Sequence, residues 1–126
     1  MIKHNVAVYG TLLSGLWNHG LLEGSKLITP GQTAEKMKMT VNVIPYVSKK
    51  EEISSIKVEV YEVSDSVLSG LDHLEGHPTF YKREKIDVLG EDGNIHKCWI
   101  YLCDASTDNL VEDGDYKGYR TKKGLK

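Results

Sequence analysis

The order of hydrophobic and polar positions divides the chain into short strand-like runs, one stretch of helical spacing and a long closing hairpin. Val6-Ala7-Val8-Tyr9, closed by Gly10, predicts a buried first strand. Gly10 to Gly15 follows as a loop, and Leu16-Trp17 with Leu21-Leu22, interrupted by Gly20, allow a short helix. Within 32–43, Thr33, Glu35, Met37 and Met39 alternate with Ala34, Lys36, Lys38 and Thr40, the pattern of a half-exposed strand. Pro45 opposes a central strand, so Ile44-Pro45-Tyr46-Val47 reads as an apolar loop and 48–55 as a turn.

Ile56, Val58 and Val60 alternate with Lys57 and Glu59, which predicts a strand over 56–63. Ser64-Asp65-Ser66 offers N-cap chemistry. Val67, Leu68, Leu71 and Leu74 then recur at helical spacing until Gly76 and Pro78 end the helix, the clearest one in the chain. Tyr81 to Leu89 and Ile95 to Cys103 read as a hairpin turning through 90–94. From Asp104 the chain is polar, with a polar tail from about 117 that ends in Lys122, Lys123 and Lys126. Strands first, one helix in the middle and a closing hairpin is not an alternating βαβ order. It predicts an α+β fold with a largely antiparallel, barrel-like sheet.

The length of 126 residues fits a single domain, 1–126. Sixteen basic against 18 acidic residues leave a formal net charge of -2, which provides no electrostatic reason to expect nucleic acid. No apolar stretch reaches the roughly 18 residues a membrane span needs. Met1-Ile2-Lys3-His4-Asn5 leads straight into the first strand, so no signal peptide is expected. Cys98 and Cys103 lie five positions apart in one predicted strand, on opposite faces and roughly 16 Å apart, and cannot bridge there. Two unpaired thiols suit a reducing compartment, and the expected location is cytoplasmic.

Candidate chemistry is sparse. Tyr9-Gly10-Thr11-Leu12 is a strand end entering a glycine loop, where successive backbone N–H groups can hold a carboxylate or oxyanion, although glycine after a strand is often a plain turn. Glu75 sits immediately before the helix-ending Gly76, at the unfavourable end of the helix dipole. Burial there would raise its pKa and suit it to acid/base work; in solvent it would be an ordinary helix-end residue. His73 and His77 have an i, i+4 spacing, but Gly76 and Pro78 interrupt the helix between and beyond them, and no zinc-like cluster lies nearby. His4, His19 and His96 are isolated. Ser14 lacks the nucleophile-elbow context, and no phosphate-binding glycine loop of either common kind is present.

Together these pieces resemble the γ-glutamylcyclotransferase-like (AIG2-like) family. Val8-Tyr9-Gly10-Thr11-Leu12 with Gly15 and Asn18 is similar to its opening signature, and Leu71-Asp72-His73-Leu74-Glu75-Gly76 with Pro78, Tyr81 and Arg83 to its second. Gly114-Asp115-Tyr116 resembles the closing Gly-Asp-aromatic element, and Asp92-Gly93 with Trp99 to Tyr101 fits the hairpin between them. Leu13 stands where many relatives have a basic residue, and Tyr116 where Trp is common.

The resemblance implies a small mixed, mostly antiparallel β-barrel with one main helix and short helices. It implies release of 5-oxoproline from a small γ-glutamyl amine, with no cofactor and no metal. Glu75 maps to the catalytic acid/base, Tyr9 to Leu12 to the substrate-holding loop, and Tyr81 and Tyr116 to aromatic positions near the cavity. Such a reaction needs little machinery, because the nucleophile is the substrate's own α-amine; intramolecular attack in a held geometry supplies on the order of 7–11 kcal/mol of the barrier. A non-catalytic module binding an amino-acid-like ligand, or an interaction protein with a vestigial cavity, is compatible with the same residues.

Overall fold

The computed structural model describes residues 3–124. Met1 and Ile2, which began the stretch read as lacking a signal peptide, and Leu125 and Lys126 at the end of the predicted tail lie outside the described residues. Seven strands, two α-helices and a 3-10 turn follow in the order β1 (Lys3–Val8), 3-10 turn (His19–Leu22), β2 (Lys26–Thr33), β3 (Lys38–Val41), β4 (Pro45–Ser48), β5 (Lys57–Ser64), α1 (Asp65–Glu75), β6 (Lys82–Gly90), β7 (Ile95–Leu102) and α2 (Tyr116–Lys122).

Five strands close a barrel in the order β1-β5-β2-β6-β7. Four of its contacts are antiparallel, and a parallel contact of β7 with β1 at Val6 and Trp99 closes it. This is the α+β, mixed and mostly antiparallel barrel that the chain order and the resemblance predict. The β-branched periodicity explains the interior: Val6, Val58, Val60, Val63, Val88 and Ile100 are all buried. Closure also removes the unpaired edges that an open five-stranded sheet would leave.

Helix α1 forms where its sequence signals place it. The Ser64 hydroxyl accepts from the Val67 N–H at 3.3 Å, and Leu68 and Leu71 turn inward. Gly76 ends the helix in the left-handed region at φ 67°. The His77 N–H then donates to the Asp72 carbonyl and the Gly76 N–H to the His73 carbonyl, a Schellman closure.

Four expectations change. The alternation over 32–43 belongs to two elements, since β2 begins earlier at Lys26 and ends at Thr33, and β3 starts at Lys38. The predicted loop at 44–47 is instead mostly strand β4, paired with β3 outside the barrel. Pro45 is its first residue, the position where a strand tolerates a missing N–H. The polar stretch from Asp104 is not wholly external either. Val111 is buried, and Tyr116, only 1% exposed, opens α2 under an Asp115 N-cap that accepts from the Gly118 N–H at 3.0 Å. The expected short helix near residues 16–22 is a 3-10 turn with Leu22 buried. Cys98 and Cys103 are both buried and free, and burial pushes the Cys98 thiol up to about 11. No helix among the described residues is long and apolar enough to cross a membrane.

Candidate active site

The end of β1, the turn between β3 and β4, and the end of α1 converge on one cavity of about 210 Å³. Tyr9, Gly10, Thr11 and Leu12 line it together with Glu75 and Tyr81, so six of the seven residues predicted for the site share one space. The cavity is smaller than the roughly 300 Å³ at the lower end of typical drug-sized ligand sites, which suits a compact group of amino-acid size.

Glu75 gives the cavity its chemistry. The Schellman turn and the donation of the Tyr81 N–H to the Glu75 carbonyl at 3.2 Å fix its backbone, and the residue is half-buried. Burial raises its carboxyl to about 7. Its carboxylate has no hydrogen-bond or ion-pair partner among the described residues. A carboxyl in that state exchanges protons near neutral pH, which an exposed helix-end glutamate does not.

The neighbouring phenols cannot take over this role. The Tyr9 hydroxyl donates to the Tyr101 carbonyl at 2.6 Å, the Tyr81 hydroxyl to the Pro45 carbonyl at 2.6 Å, and the Tyr101 hydroxyl to Asp72 Oδ1 at 2.6 Å. Burial, and then nearby charge including that of Glu75, hold all three phenols well above their ordinary range. They remain protonated, committed donors that shape the cavity around one titrating group.

The Tyr9-to-Leu12 loop carries the complementary feature. The N–H groups of Gly10, Thr11 and Leu12 donate to no acceptor among the described residues, although Thr11 and Leu12 are buried. Unpartnered amides on buried residues are uncommon, and these two with the half-buried Gly10 amide beside them make a ready cradle for an anionic oxygen. The loop is held from behind. Asn18 Nδ2 donates to Thr11 Oγ1 at 2.9 Å, and the Asn18 N–H donates to the Thr11 carbonyl at 3.0 Å. At the far end the Ser14 N–H and hydroxyl donate to the two Glu59 carboxylate oxygens at 2.9 and 3.0 Å, with Lys117 Nζ 2.9 Å from the Ser14 hydroxyl. Burial works against the Glu59 charge, but Ser14, Tyr61 and Lys117 together hold its carboxyl below the usual range. A methyl group on Gly10 would come within 2.8 Å of Pro45 Cγ, so this glycine is required by close packing across the cavity wall.

A second ion pair supports the other side. Arg83 grips Asp72 through Nε at 2.8 Å and a second guanidinium nitrogen at 3.1 Å, and lies over the Trp99 ring. Asp72 thereby ties α1 to β6 and, through Tyr101, to β7, three residues before Glu75. His77 Nδ1 accepts the Arg83 N–H at 3.2 Å, and no cluster among the described residues could hold a metal ion.

Tyr116 is the predicted site residue that does not line the cavity. It is fully buried at the start of α2, near enough to Tyr81 to influence its phenol. Asn18, Ile44, Pro45, Leu74, Phe80 and Tyr101 line the cavity without having been assigned to it. Leu74 and Phe80 directly precede Glu75 and Tyr81, Asn18 stands in the opening signature and Tyr101 in the hairpin element; Ile44 and Pro45 lay in the segment read as an apolar loop.

Comparison with known proteins points the same way. Residues 6–118 match the family described as gamma-glutamyl cyclotransferase, AIG2-like. The chain is 48% identical over 116 residues to a protein of Methanocaldococcus jannaschii provisionally named a gamma-glutamylcyclotransferase, covering 91% of this chain and 97% of that one. It is 31% identical over 115 residues to gamma-glutamylaminecyclotransferase C of Danio rerio, covering 80% of this chain and 76% of the relative. The crystal structure of an AIG2-like protein from Mus musculus superposes with a TM-score of 0.84 at 24% identity, over 100% of this chain and 95% of that one, a likeness of fold.

Proposed function

The chain belongs to the gamma-glutamyl cyclotransferase, AIG2-like family, and from that premise we propose that it converts a γ-glutamyl amine into 5-oxoproline and a free amine with Glu75 as general acid and base. The observation that carries this reading is the pairing in one small cavity of a carboxyl raised to about 7 with three unpartnered backbone N–H groups.

The substrate's α-ammonium gives a proton to Glu75, and the resulting amine attacks the γ-carbonyl carbon, forming the ring C–N bond. Charge develops on the carbonyl oxygen, where preorganised N–H donors contribute most. Collapse breaks the bond to the leaving nitrogen, which takes the proton from Glu75. The carboxylate then removes the surplus proton from the ring nitrogen, and that proton departs with the amine. No covalent enzyme intermediate is required, and the bent geometry supplies the effective molarity. Gly10, Thr11 and Leu12 serve the two anionic groups of the substrate, the α-carboxylate and the oxyanion. The two buried free thiols suit a reducing, cytoplasmic setting.

The test is incubation of the purified protein with a γ-glutamyl amide such as γ-glutamyl-methylamide, with 5-oxoproline quantified by mass spectrometry. Enzyme-dependent release of 5-oxoproline and methylamine in equal amounts is expected. Release of glutamate instead would mean hydrolysis and would overturn the cyclisation.

A further inference from the structure

Burial sorts the cavity lining into a floor and a rim. Tyr9, Leu12, Tyr81 and Tyr101 are each 6% exposed or less. Leu74 and Phe80, by contrast, are 41% and 51% exposed, and Ile44 is half-buried beside a Val43 that is 75% exposed. Resting on the function proposed above, we infer that the leaving amine is an uncharged, apolar one, seated against Leu74, Phe80 and Ile44 where the cavity opens.

The glutamyl half belongs beside Glu75 and the Tyr9-to-Leu12 loop, which carry the titrating carboxyl and the unpartnered amides. A space of about 210 Å³ leaves little room beside it, so the group beyond the scissile nitrogen must pass the rim. That rim is apolar and held in place. Phe80 meets Tyr81 edge-on at 5.0 Å and Tyr46 at 6.1 Å, and its N–H donates to the Gly76 carbonyl at 2.9 Å. A phenylalanine so fixed yet half in water presents a ready apolar surface.

Charge argues in the same direction. Among the described lining residues Glu75 alone has an ionisable acidic or basic side chain apart from the tyrosines. A leaving amine with its own carboxylate would bring a second negative charge toward Glu75 with no cation lining the cavity to receive it. A leaving amine with a second ammonium would lose water against Leu74 and Phe80 with no carboxylate at the rim to replace it. The ion pair closest in sequence, Asp72 with Arg83, is already satisfied internally and by Tyr101.

Three γ-glutamyl amides of matched length decide the matter: the isoamylamide, the leucine adduct, which adds a carboxylate, and the mono-amide of 1,5-diaminopentane, which adds a distal ammonium. Differential pocket contacts of this kind are worth roughly tenfold or more in kcat/KM. The isoamylamide is expected to exceed both charged substrates by at least about tenfold, and Phe80→Ser to shrink that margin. Equal or better turnover of either charged substrate would overturn the apolar assignment while leaving 5-oxoproline release intact. Silence of all three, together with the methylamide, would remove the cyclotransferase reading and this inference with it.

Discussion

Glu75→Gln is expected to reduce 5-oxoproline release by about 10² to 10⁴, the range that general acid/base transfer contributes, while making the protein more stable at neutral and alkaline pH. The two effects have one physical origin. Burial raises the Glu75 carboxyl from 4.5 to about 7. In the unfolded chain the group ionises first, so the folded state binds the extra proton. Its favourable contribution is complete below about 4.5 and is lost as pH rises to about 7, above which a desolvated carboxylate is carried in the fold. The shift corresponds to a penalty on the order of 3 kcal/mol at pH 8. Glutamine removes the charge at nearly the same volume. A Tm gain of roughly 5–10 °C at pH 8 is expected, with almost none at pH 4. Thermal melts at the two pH values check the stability half and turnover of the methylamide the catalytic half. A variant with wild-type turnover would remove Glu75 from the chemistry, whatever its Tm.

Gly114→Ala is expected to destabilise the fold by on the order of 4 kcal/mol. Gly114 has φ +66°, and a Cβ there would lie 2.4 Å from the Ser55 carbonyl oxygen and 3.0 Å from Ile56 Cα. Both are backbone atoms at the entry to β5 and cannot step aside as a side-chain tip can. The Gly114 carbonyl also accepts the Lys57 N–H at 2.9 Å, so displacing the turn would pull on β5 itself. The Gly-Asp-aromatic element is therefore a clasp: Gly114 docks on the barrel, Asp115 caps α2 and Tyr116 fills the core. A Tm fall well above 10 °C is expected, with KM little changed at temperatures where the variant remains folded. A raised KM at unchanged Tm would instead place this element in the substrate site.

That clasp illustrates how far the sequence could be read. Glu75, Gly10 and Tyr81 were legible because each adjoins a strong local signal, a helix stop or a strand end, and because family motifs joined them. Strand β1 followed from a β-branched run closed by Gly10, β5 from alternation, and β6 with β7 from the turn residues at 90–94. Strand β2 was not foreseen, since Pro30 and Gly31 interrupt its apolar run. In the fold the Pro30 carbonyl accepts the Glu91 N–H, and Gly31 lets β6 approach so closely that a Cβ would sit 2.5 Å from the Leu89 carbonyl. Non-local contacts of that sort leave no periodic trace. The same holds for Tyr101, whose carbonyl and hydroxyl join Tyr9 to Asp72 across 92 and 29 positions of sequence. Motif matching also assigned Tyr116 to the cavity, since a motif does not distinguish a residue that touches a site from one that holds it up.

The most direct test of the account is the pH dependence of kcat/KM for 5-oxoproline release, which reports the ionisation of the free enzyme and free substrate. An acid limb with a midpoint at about 7, the value burial gives Glu75, is expected, with any alkaline limb set by the substrate's α-ammonium. A profile level from pH 5 to 8, or one that falls only at the ordinary carboxylate value of about 4.3, would contradict it.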